Sequence, residues 1–577
     1  MAKVTPLSGF PEWLPAERRI EQHVMDTFRE VAELHGFSNI ETRAVEPLDQ
    51  LLRKGETSKE VYMISRLQAD DEDRDKEGQK LGLHFDLTVP LARYVLEHQN
   101  DLAFPFRRYQ IQKVWRGERP QDGRFREFYQ ADIDIIGQDT LPPHMDADVA
   151  IVMAEVLGKL PIPGFTISVN NRKLSQGVFE ALGLTDIEGV LRQLDKLAKV
   201  GEAEVRTLLI EHAGASEEQA DGCLAFARIK ATHEDLAEKV NALGVSSEAI
   251  THALEELSFV IRTVNASVPG ACIADLSIAR GLDYYTGTVF ETFVEGHEDL
   301  GSICSGGRYD TLATDNRHSY PGVGLSIGLS RLVSRLVTRS LATSTRAVPT
   351  VALVAVADEE HREASVDVAR VLRSRGISAE VAPSAAKFGK QIKYADRRGI
   401  PFVFFPSEDG RGEVKDIRSG EQTPADAHTW QPPKDDMTAR VVATTSTFKG
   451  VRNDMATVEM TKENHDELVK DGIVFIDFWA EWCGPCQRFA PIFEKASEEN
   501  PDVTFAKVDT EDQTELQMQY GATSIPTIVA YRDGIPVFGQ PGALRQADLD
   551  SLIAQVRGLN MDEVRKAYEE QQAKQGK

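Results

Sequence analysis

Two cysteines separated by two residues lie near the C-terminal end of the chain, in the segment WAEWCGPC at 479–486. The chain has 577 residues and five cysteines, and none of the other three is paired at motif spacing. A structural zinc site usually takes four Cys or His ligands, and no second Cys or His pair lies nearby. So few cysteines in so long a chain do not make a secreted disulfide framework. Redox chemistry is therefore the favoured interpretation of the pair.

The residues around this pair predict how it would react. Pro485 fits the first turn of a helix, which puts Cys483 at the helix N-terminus, where the dipole and unpaired N–H groups favour the thiolate. Cys486, one turn further on and more sheltered, would resolve a mixed disulfide. Asp477 lies in the apolar strand IVFIDFW, where a charged and unpaired carboxylate is costly. Its expected role is proton exchange with Cys486.

Polar side chains also alternate with apolar ones in the segment GRFREFYQADIDIIG at 123–137. In a strand, successive side chains point to opposite faces. The apolar face is a core face, and the polar face is too ordered in type for a random surface. The apolar face carries Tyr129, Ala131, Ile133 and Ile135, and the polar face carries Arg124, Arg126, Phe128, Gln130, Asp132 and Asp134.

Further segments repeat this alternation. HFDLTVP, read as a strand, puts Asp86 and Thr88 on one face, and Arg116 ends the strand before the hairpin loop GERPQDG. GVGLSIGLSRL puts Gly322, Gly324, Ser326 and Gly328 on one face, and such glycines suggest that an adenosine approaches the backbone. One such strand alone is usually just half exposed. Together they predict a shared floor with arginines for phosphates, an aromatic ring for stacking and carboxylates for an ammonium or imidazolium group.

The hydrophobic periodicity predicts which elements hold these residues. Short alternating segments indicate an antiparallel sheet, interrupted by helical spacing, and two later regions alternate strand and helix. The fold class is multidomain, α+β followed by α/β. The predicted domains are a sheet domain at 1–335 with a helical insertion at about 172–265, an α/β domain at 348–430, a linker at 431–457, a second α/β domain at 458–557 and a tail at 558–577.

Charge and hydropathy limit the possible partners. The net charge of −25 argues against a polyanion bound by the whole surface, so a nucleic-acid role needs a local basic patch. Such a patch exists in 387–405, although two of its charges can be ordinary solvated helix charges: Lys387, Lys390, Lys393, Arg397 and Arg398. The start of the chain has no apolar signal core, and no run approaches the length of about 20 residues that spans a bilayer. A cytosolic location is expected.

Residues 1 to about 430 resemble the class II aminoacyl-tRNA synthetases, and within them the histidyl-tRNA synthetases. VEPLDQLL, with Pro47, is similar to the first class motif, VWRGERPQDGRFREF to the second and GVGLSIGLSRL to the third. FDLTVP and RGLDYYTGTVFE at 280–291 resemble the histidine-specific stretches. The resemblance implies a catalytic antiparallel sheet, an anticodon-binding domain, and a homodimer through the surface around Pro47.

The resemblance also implies roles for individual residues. Arg280 would be catalytic together with Arg116, Mg²⁺ would accompany ATP without a protein cage, and histidyl would pass from the adenylate to tRNA(His). Ser330 departs from the glutamate that commonly precedes the arginine of the third motif. The implied histidine-binding residues are Asp86, Thr88, Arg116, Gln130, Asp134, Arg280, Tyr284 and Tyr285, and the implied ATP-binding residues are Arg116, Glu118, Arg124, Phe128 and Arg331.

Residues 458–557 resemble thioredoxin, on the segments FWAEWCGPC and GATSIPTIVAYRDG. The resemblance implies that Cys483 and Cys486 form a redox disulfide, that Pro526 is a cis-proline beside it, and that the module reduces protein disulfides. It also matches Lys507 to the lysine near the buried acid and Gly542 to the substrate groove. Trp482 is equally well explained as a core-edge aromatic or as a docking surface.

Several alternatives remain open from the sequence. Threonyl, prolyl and glycyl enzymes share the class motifs, but the threonyl type needs a zinc site, and Cys272 and Cys304 have no suitably placed histidines. A synthetase-like regulatory paralogue would not charge tRNA, and it generally lacks the anticodon domain. The thioredoxin-like module is expected to work independently, although it could serve as a folding aid or reduce Cys304 near the active site.

Overall fold

The structure is a computed structural model of the chain. It describes residues 5–568 except 53–59, 66–79, 122, 280–284, 316, 408–410, 445–456, 463, 471, 481–482, 501–502, 523, 562–563 and 567. The chain divides into two compact units, Met1–Lys449 and Gly450–Lys577. None of the described helices could serve as a transmembrane span.

A nine-stranded, mainly antiparallel sheet forms the centre of the first unit, in the order β1-β5-β6-β12-β11-β10-β7-β9-β8. A smaller sheet of order β2-β4-β3 accompanies it. The strands of both sheets are β1 (Ser38–Asn39), β2 (Val45–Pro47), β3 (Met63–Ile64), β4 (Leu81–Leu83), β5 (Phe106–Trp115), β6 (Glu127–Ile136), β7 (Phe165–Asn171), β8 (Lys230–Ala231), β9 (Cys272–Asp275), β10 (Thr288–Val294), β11 (Cys304–Thr314) and β12 (Ser319–Ile327).

The apolar face of β6 lies in the core, as the alternation predicts. Ala131, Ile133 and Ile135 are fully buried, and they share one cluster with residues of the helices Pro15–Leu34 and Met145–Lys159. The polar face is covered as well, since Asp132 and Asp134 are also buried. The sheet therefore carries an internal polar layer opposite its apolar layer. The other helices around it are Leu48–Leu51, Thr88–His98, Leu329–Thr338 and the 3₁₀ turn Glu298–Leu300.

Helices dominate the predicted insertion. They pack through apolar positions at helical spacing, such as Ile250, Leu254, Leu257 and Ile261, all of which are buried. Asn171 caps the first helix with its side chain, and Ser247 caps the last. The helices are Arg172–Ala181, Ile187–Leu194, Leu197–Val200, Glu202–Ala213, Glu217–Ala227, Leu236–Asn241 and Glu248–Ser267.

The remainder of the first unit is a small α/β structure of sheet order β15-β14-β16-β17-β18. Its helices are Arg362–Ser374 and Phe388–Arg398. The segment predicted as a linker contains the 3₁₀ turn Lys434–Asp436 and a strand that pairs antiparallel with β13, so part of it is folded on this unit. The strands are β13 (Ala342–Ser344), β14 (Ala352–Val354), β15 (Ala379–Val381), β16 (Phe402–Pro406), β17 (Arg411–Asp416), β18 (Gln422–Asp426) and β19 (Val441–Ala443).

The second unit is a five-stranded sheet of order β20-β22-β21-β23-β24 with helices around it. An aromatic cluster that includes Phe475, Phe489, Phe493 and Phe505 fills one side of the sheet. The strands are β20 (Thr457–Glu459), β21 (Ile473–Trp479), β22 (Val503–Asp509), β23 (Thr527–Arg532) and β24 (Ile535–Pro541), and the helices are His465–Leu468, Gly484–Glu499, Thr514–Gln519 and Gln546–Arg557.

Candidate active site and dithiol site

A cavity of about 270 Å³ opens on the nine-stranded sheet of the first unit. Six of the residues predicted to bind substrates line it, which places the strand ends, the hairpin loop and the helix after β12 around one space. These six are Arg116, Glu118, Arg124, Phe128, Gln130 and Arg331, and the other lining residues are Gly123, Phe125, Ser302, Ile303, Ser305, Ser326 and Gly328.

Arg116 is held in place by three neighbouring residues. Its Nε donates to the carbonyl of Phe85 at 3.0 Å, and its Nη2 donates to Oε1 of Gln130 at 3.5 Å. Its guanidinium carbon lies 5.2 Å from the centre of the Phe128 ring. A planar guanidinium fixed in this way is pre-organised for a phosphate or carboxylate oxygen.

Arg331 reaches the cavity from the helix Leu329–Thr338. Its Nη1 donates to the carbonyl of Ser302 at 3.1 Å, and its Nη2 donates to the carbonyl of Leu300. Gly123 in the hairpin loop has a φ of +66°, and a Cβ there would lie 3.0 Å from Cγ of Arg331. The glycine therefore permits both the turn and the close approach of the loop to this arginine.

Ser330, the residue that departs from the family motif, makes a structural hydrogen bond. It is buried, and its Oγ accepts a hydrogen bond from the backbone N–H of Tyr129 at 2.9 Å. This bond joins the start of the helix Leu329–Thr338 to β6. Ser330 is not among the residues that line the cavity.

Glu118 and Arg124 face each other across the hairpin loop. Their charged atoms are 3.8 Å apart, and both side chains are partly exposed. An exposed pair of this kind contributes only about 0–1 kcal/mol, so a ligand can compete for either member at little cost.

Asp134 lies deeper in the sheet and has partners within the protein. Its Oδ2 is 2.6 Å from Nη2 of the fully buried Arg108, and its Oδ1 accepts from the hydroxyl of Tyr309 at 2.7 Å. The register explains the ion pair, because Arg108 of β5 lies opposite Asp134 of β6. Neither Arg108 nor Tyr309 was predicted from the sequence as a residue of the site. The alternation in FRRYQ could have identified Arg108 as the partner of Asp134 only if the register of β5 against β6 had been known.

The glycines of β12 make room for these side chains. A Cβ at Gly324 would lie 2.0 Å from Oδ1 of Asp134, and one at Gly322 would lie 2.4 Å from the Tyr309 ring. The expectation that these two glycines make room for an adenosine is therefore wrong, because the side chains of Asp134 and Tyr309 fill that space. Gly328, at the end of the same series, does line the cavity.

The dithiol site lies in the second unit. Cys483 and Cys486 are joined by a disulfide, and Cys483 is the residue before the helix Gly484–Glu499. The backbone N–H of Cys486 donates to Sγ of Cys483 at 3.2 Å, as expected for a sulfur at a helix N-terminus. Pro526 follows a cis peptide bond, and Sγ of Cys483 lies 3.6 Å from the carbonyl oxygen of Ile525.

Asp477 is fully buried in β21, and neither carboxylate oxygen has a hydrogen-bond partner among the described residues. Burial raises the pKa of Asp477 to about 7, since the positive charge of Lys507 opposes the shift only in part and Glu494 adds to it. Lys507 lies opposite Asp477 in the neighbouring strand, but its Nζ is 3.1 Å from Oε1 of Glu494 and 5.3 Å from the centre of the Trp479 ring. The carboxyl can therefore gain or lose a proton near neutral pH.

Comparison with known proteins is consistent with both sites. The family model for histidyl-tRNA synthetase matches residues 9–332, that for an anticodon binding domain matches 350–426, and that for thioredoxin matches 456–555. The histidine–tRNA ligase of Micrococcus luteus is 59% identical over 454 residues, which cover 76% of this chain and 99% of the relative. The chain belongs to the histidyl-tRNA synthetase family.

Other members of this family agree with that assignment. The histidine–tRNA ligase of Cutibacterium acnes is 54% identical over 453 residues, which cover 77% of this chain and 100% of the relative. The crystal structure of histidyl-tRNA synthetase from Nostoc sp. PCC 7120 aligns with a TM-score of 0.66 and 37% identity, and covers 74% of this chain and 98% of that one. The predicted fold class, a class II synthetase followed by a thioredoxin domain, is confirmed.

One segment of this synthetase differs from the predicted secondary structure. HFDLTVP is not a strand, because a helix begins at Thr88 and runs to His98. Oδ1 of Asp86 accepts from the backbone N–H of Val89 at 3.1 Å, so the carboxylate satisfies the first turn of that helix. Asp86 and Thr88 therefore do not share a strand face, and neither lines the cavity of the histidyl-tRNA synthetase domain.

The remaining predicted residues of the synthetase site are described only in part. Tyr285 is half-buried beside β11, where a Cβ at Gly307 would lie 2.9 Å from its ring. Arg280 and Tyr284 lie outside the described residues, as does Trp482 of the dithiol segment.

Proposed function

We propose that this chain is a histidine–tRNA ligase that joins L-histidine to ATP as histidyl-adenylate and transfers the histidyl group to tRNA(His). The observation that carries the proposal is the cavity shared by Arg116, Gln130 and Arg331, in a chain that is 59% identical to a histidine–tRNA ligase over nearly the whole of that relative. The regulatory paralogue is less supported, because the anticodon-binding family matches 350–426. Such an enzyme would act in the cytoplasm.

The chemistry assigned to the cavity is mainly electrostatic. Attack of the histidine carboxylate on the α-phosphate requires little proton transfer, so positioned positive charge supplies most of the rate. Arg116 would hold the α-phosphate and the substrate carboxylate, and Arg331 the γ-phosphate, with adenine stacked on Phe128. Arg280 is proposed as a further catalytic arginine. Mg²⁺ would enter with ATP and neutralise phosphate charge, and Glu118 is a carboxylate of the cavity wall.

The other proposed ligands of histidine differ in their relation to the cavity. Gln130 lines it, Asp134 is buried on the same strand face as Gln130, and the Tyr285 ring lies close to Gly307 of β11. Asp86 and Thr88 occupy the helix start next to Phe85, whose carbonyl accepts from Arg116. Tyr284 is proposed on the family resemblance.

A homodimer through the surface around Pro47 is part of the proposal. The small sheet that contains Pro47, together with Leu52 at the end of the helix Leu48–Leu51, exposes several apolar side chains, and a contiguous apolar surface often marks an interface. The exposed fractions are 36% for Val45, 38% for Leu52, 64% for Met63, 38% for Ile64 and 41% for Leu81. A second copy of the chain would cover this apolar surface.

Binding of tRNA is assigned in part to the helix Phe388–Arg398. Lys387, Lys390, Lys393 and Arg397 are exposed there, whereas Arg398 pairs with Glu380 at 3.5 Å. These side chains form a local positive surface on a chain of strongly negative net charge. Phosphate contacts of this kind release counterions, which makes binding depend on salt.

Charging of tRNA should therefore weaken as salt increases, while histidine-dependent ATP–pyrophosphate exchange should change much less. Replacing Lys393 with Ala should lower the slope of log(kcat/KM) for tRNA against log[salt] by about 1. Arg370→Ala is the matched control, because Arg370 is 75% exposed on the other helix of the same domain and pairs with Asp367. Exchange without any charging would instead favour the regulatory paralogue.

We further propose that the second unit is a dithiol–disulfide oxidoreductase. The disulfide at a helix N-terminus and the buried carboxyl of Asp477 support this assignment. The intact chain should reduce insulin disulfides in the presence of dithiothreitol, and Cys483→Ser should abolish that activity because it removes the attacking thiolate. Cys223→Ser is the control, since Cys223 is a buried free cysteine of the other unit. Insulin reduction at the wild-type rate by Cys483→Ser would contradict the assignment.

The hypothesis that the thioredoxin module reduces Cys304 receives no support from the geometry. Cys304 is 1% exposed, and burial raises the pKa of its thiol, which makes it a poor nucleophile. We therefore propose that the two activities are independent, and that tRNA charging is unaffected by the redox state of the chain.

A further inference from the structure

Asp132 is a buried carboxylate that the proposed reaction leaves without a role. It lies on β6 between Gln130 and Asp134, is 2% exposed, and is not among the residues that line the cavity. Its Oδ2 is 3.9 Å from Nη2 of Arg108, which lies closer to Asp134. A buried carboxylate with so distant an ionic partner is costly, so its stability depends on its hydrogen bonds.

The hydrogen bond to Asp132 comes from Ser326, a residue of the cavity wall. Oγ of Ser326 donates its one hydrogen to Oδ1 of Asp132 at 2.5 Å. Because the hydroxyl hydrogen is used, the oxygen of Ser326 can only accept from its other neighbour. That neighbour is Gln130, whose Nε2 donates to Oγ at 2.6 Å.

These two hydrogen bonds, from Gln130 to Ser326 and from Ser326 to Asp132, fix the orientation of the Gln130 amide. With Nε2 committed to Ser326, Oε1 is turned toward Arg116, whose Nη2 lies 3.5 Å away. The reversed amide would direct N–H donors at a guanidinium that has no acceptor. Burial raises the pKa of Asp132 to about 7, so the reversed orientation is excluded above that pH, where the ionised carboxylate cannot donate to Ser326.

We propose that Asp132, acting through Ser326, is a positioning residue that holds the Gln130 amide oxygen toward the cavity, where it accepts a hydrogen bond from an N–H group of histidine. The inference rests on the proposed function, since it needs histidine as the ligand of this cavity. Histidine offers an ammonium and an imidazole N–H, and both require an acceptor. Asp132 is not among the residues that line the cavity, so its effect on binding passes through the serine and the glutamine.

The test measures the affinity of the full chain for L-histidine and for ATP, separately, by titration calorimetry at about pH 8, where Asp132 is ionised. Asp132→Ala and Ser326→Ala should each weaken histidine binding about tenfold, the loss expected for one hydrogen bond to a charged group. The affinity for ATP should fall by a much smaller factor, because Arg116 keeps its hydrogen bond to the carbonyl of Phe85. A purely structural role for Asp132 would instead weaken both ligands together and lower the unfolding temperature.

A double-mutant comparison tests whether Asp132 acts through Ser326 and Gln130, an arrangement called the relay below, or affects histidine binding in another way. In a Gln130→Ala background the amide is gone, so adding Asp132→Ala should cause no further loss of histidine affinity. A further loss in that background would overturn the inference. Unchanged histidine affinity in Ser326→Ala would also overturn it, and this variant decides the matter where Asp132→Ala does not fold.

Failure of the proposed function gives a different result. If the wild-type chain binds no histidine, the assignment of the cavity fails and the relay fails with it. If the wild-type chain binds histidine and the Asp132 and Ser326 variants bind it equally well, only the relay is overturned.

Discussion

Replacing Arg116 with Ala should reduce histidine-dependent ATP–pyrophosphate exchange by about a thousandfold, the upper range for loss of one pre-organised donor to a developing charge. Arg116 is held by Phe85 and Gln130 and lies over Phe128, so it is fixed before substrate arrives. Water that replaces it would have to reorganise during the reaction. Both kcat and kcat/KM should fall, because the contact strengthens as charge builds on the α-phosphate.

The matched control is Arg29→Ala, which removes an exposed arginine paired with Asp26 at 2.6 Å on the helix Pro15–Leu34. Exchange by this variant should remain at the wild-type rate, because surface pairs of this kind contribute little. Thermal unfolding of both variants should resemble that of the wild type. An Arg116→Ala enzyme that exchanges pyrophosphate normally would remove Arg116 from the site.

Replacing Asp477 with Asn should stabilise the second unit at pH 8, and its stability should then depend much less on pH. The pKa of Asp477 is raised from 3.8 to about 7 in the folded chain, which corresponds to about 4 kcal/mol. Since the folded state binds this proton more tightly than the unfolded state, the free energy of unfolding falls as pH rises from about 4 to about 7 and levels off above that.

Hydrogen exchange of peptides that cover 473–479, corrected for the intrinsic pH dependence, measures this free energy within the full chain. The gain in Asp477→Asn should be about 2–4 kcal/mol at pH 8 and should vanish near pH 4, where the wild-type carboxyl is already neutral. Asp550→Asn, an exposed carboxylate on the helix Gln546–Arg557, should change stability by less than about 0.5 kcal/mol. Greater stability of the wild type at pH 8 than at pH 5 would contradict the account.

Much of the fold could be predicted where local pattern and burial agree. The alternation of Ala131, Ile133 and Ile135 with polar residues identified β6 and its core face, because a strand has only two faces. The dithiol spacing and Pro485 likewise predicted a helix that begins after Cys483. In these cases each local preference points to the same structure.

The rest depended on contacts distant in sequence. Asp86 caps a helix turn, although its flanking residues alternate like those of a strand, and a short segment does not separate the two patterns. The space beside Gly324 is occupied by Asp134, which follows from the β6–β12 register and not from either segment alone. Arg108 compensates Asp134 from a third strand, so the polar layer becomes visible only when the sheet is assembled.

The most direct test of the central claim is aminoacylation of unfractionated tRNA by the intact chain with each amino acid in turn. ATP-dependent charging is expected with histidine and with no other amino acid. Charging with a different amino acid, or no charging by a chain that binds histidine and ATP, would contradict it.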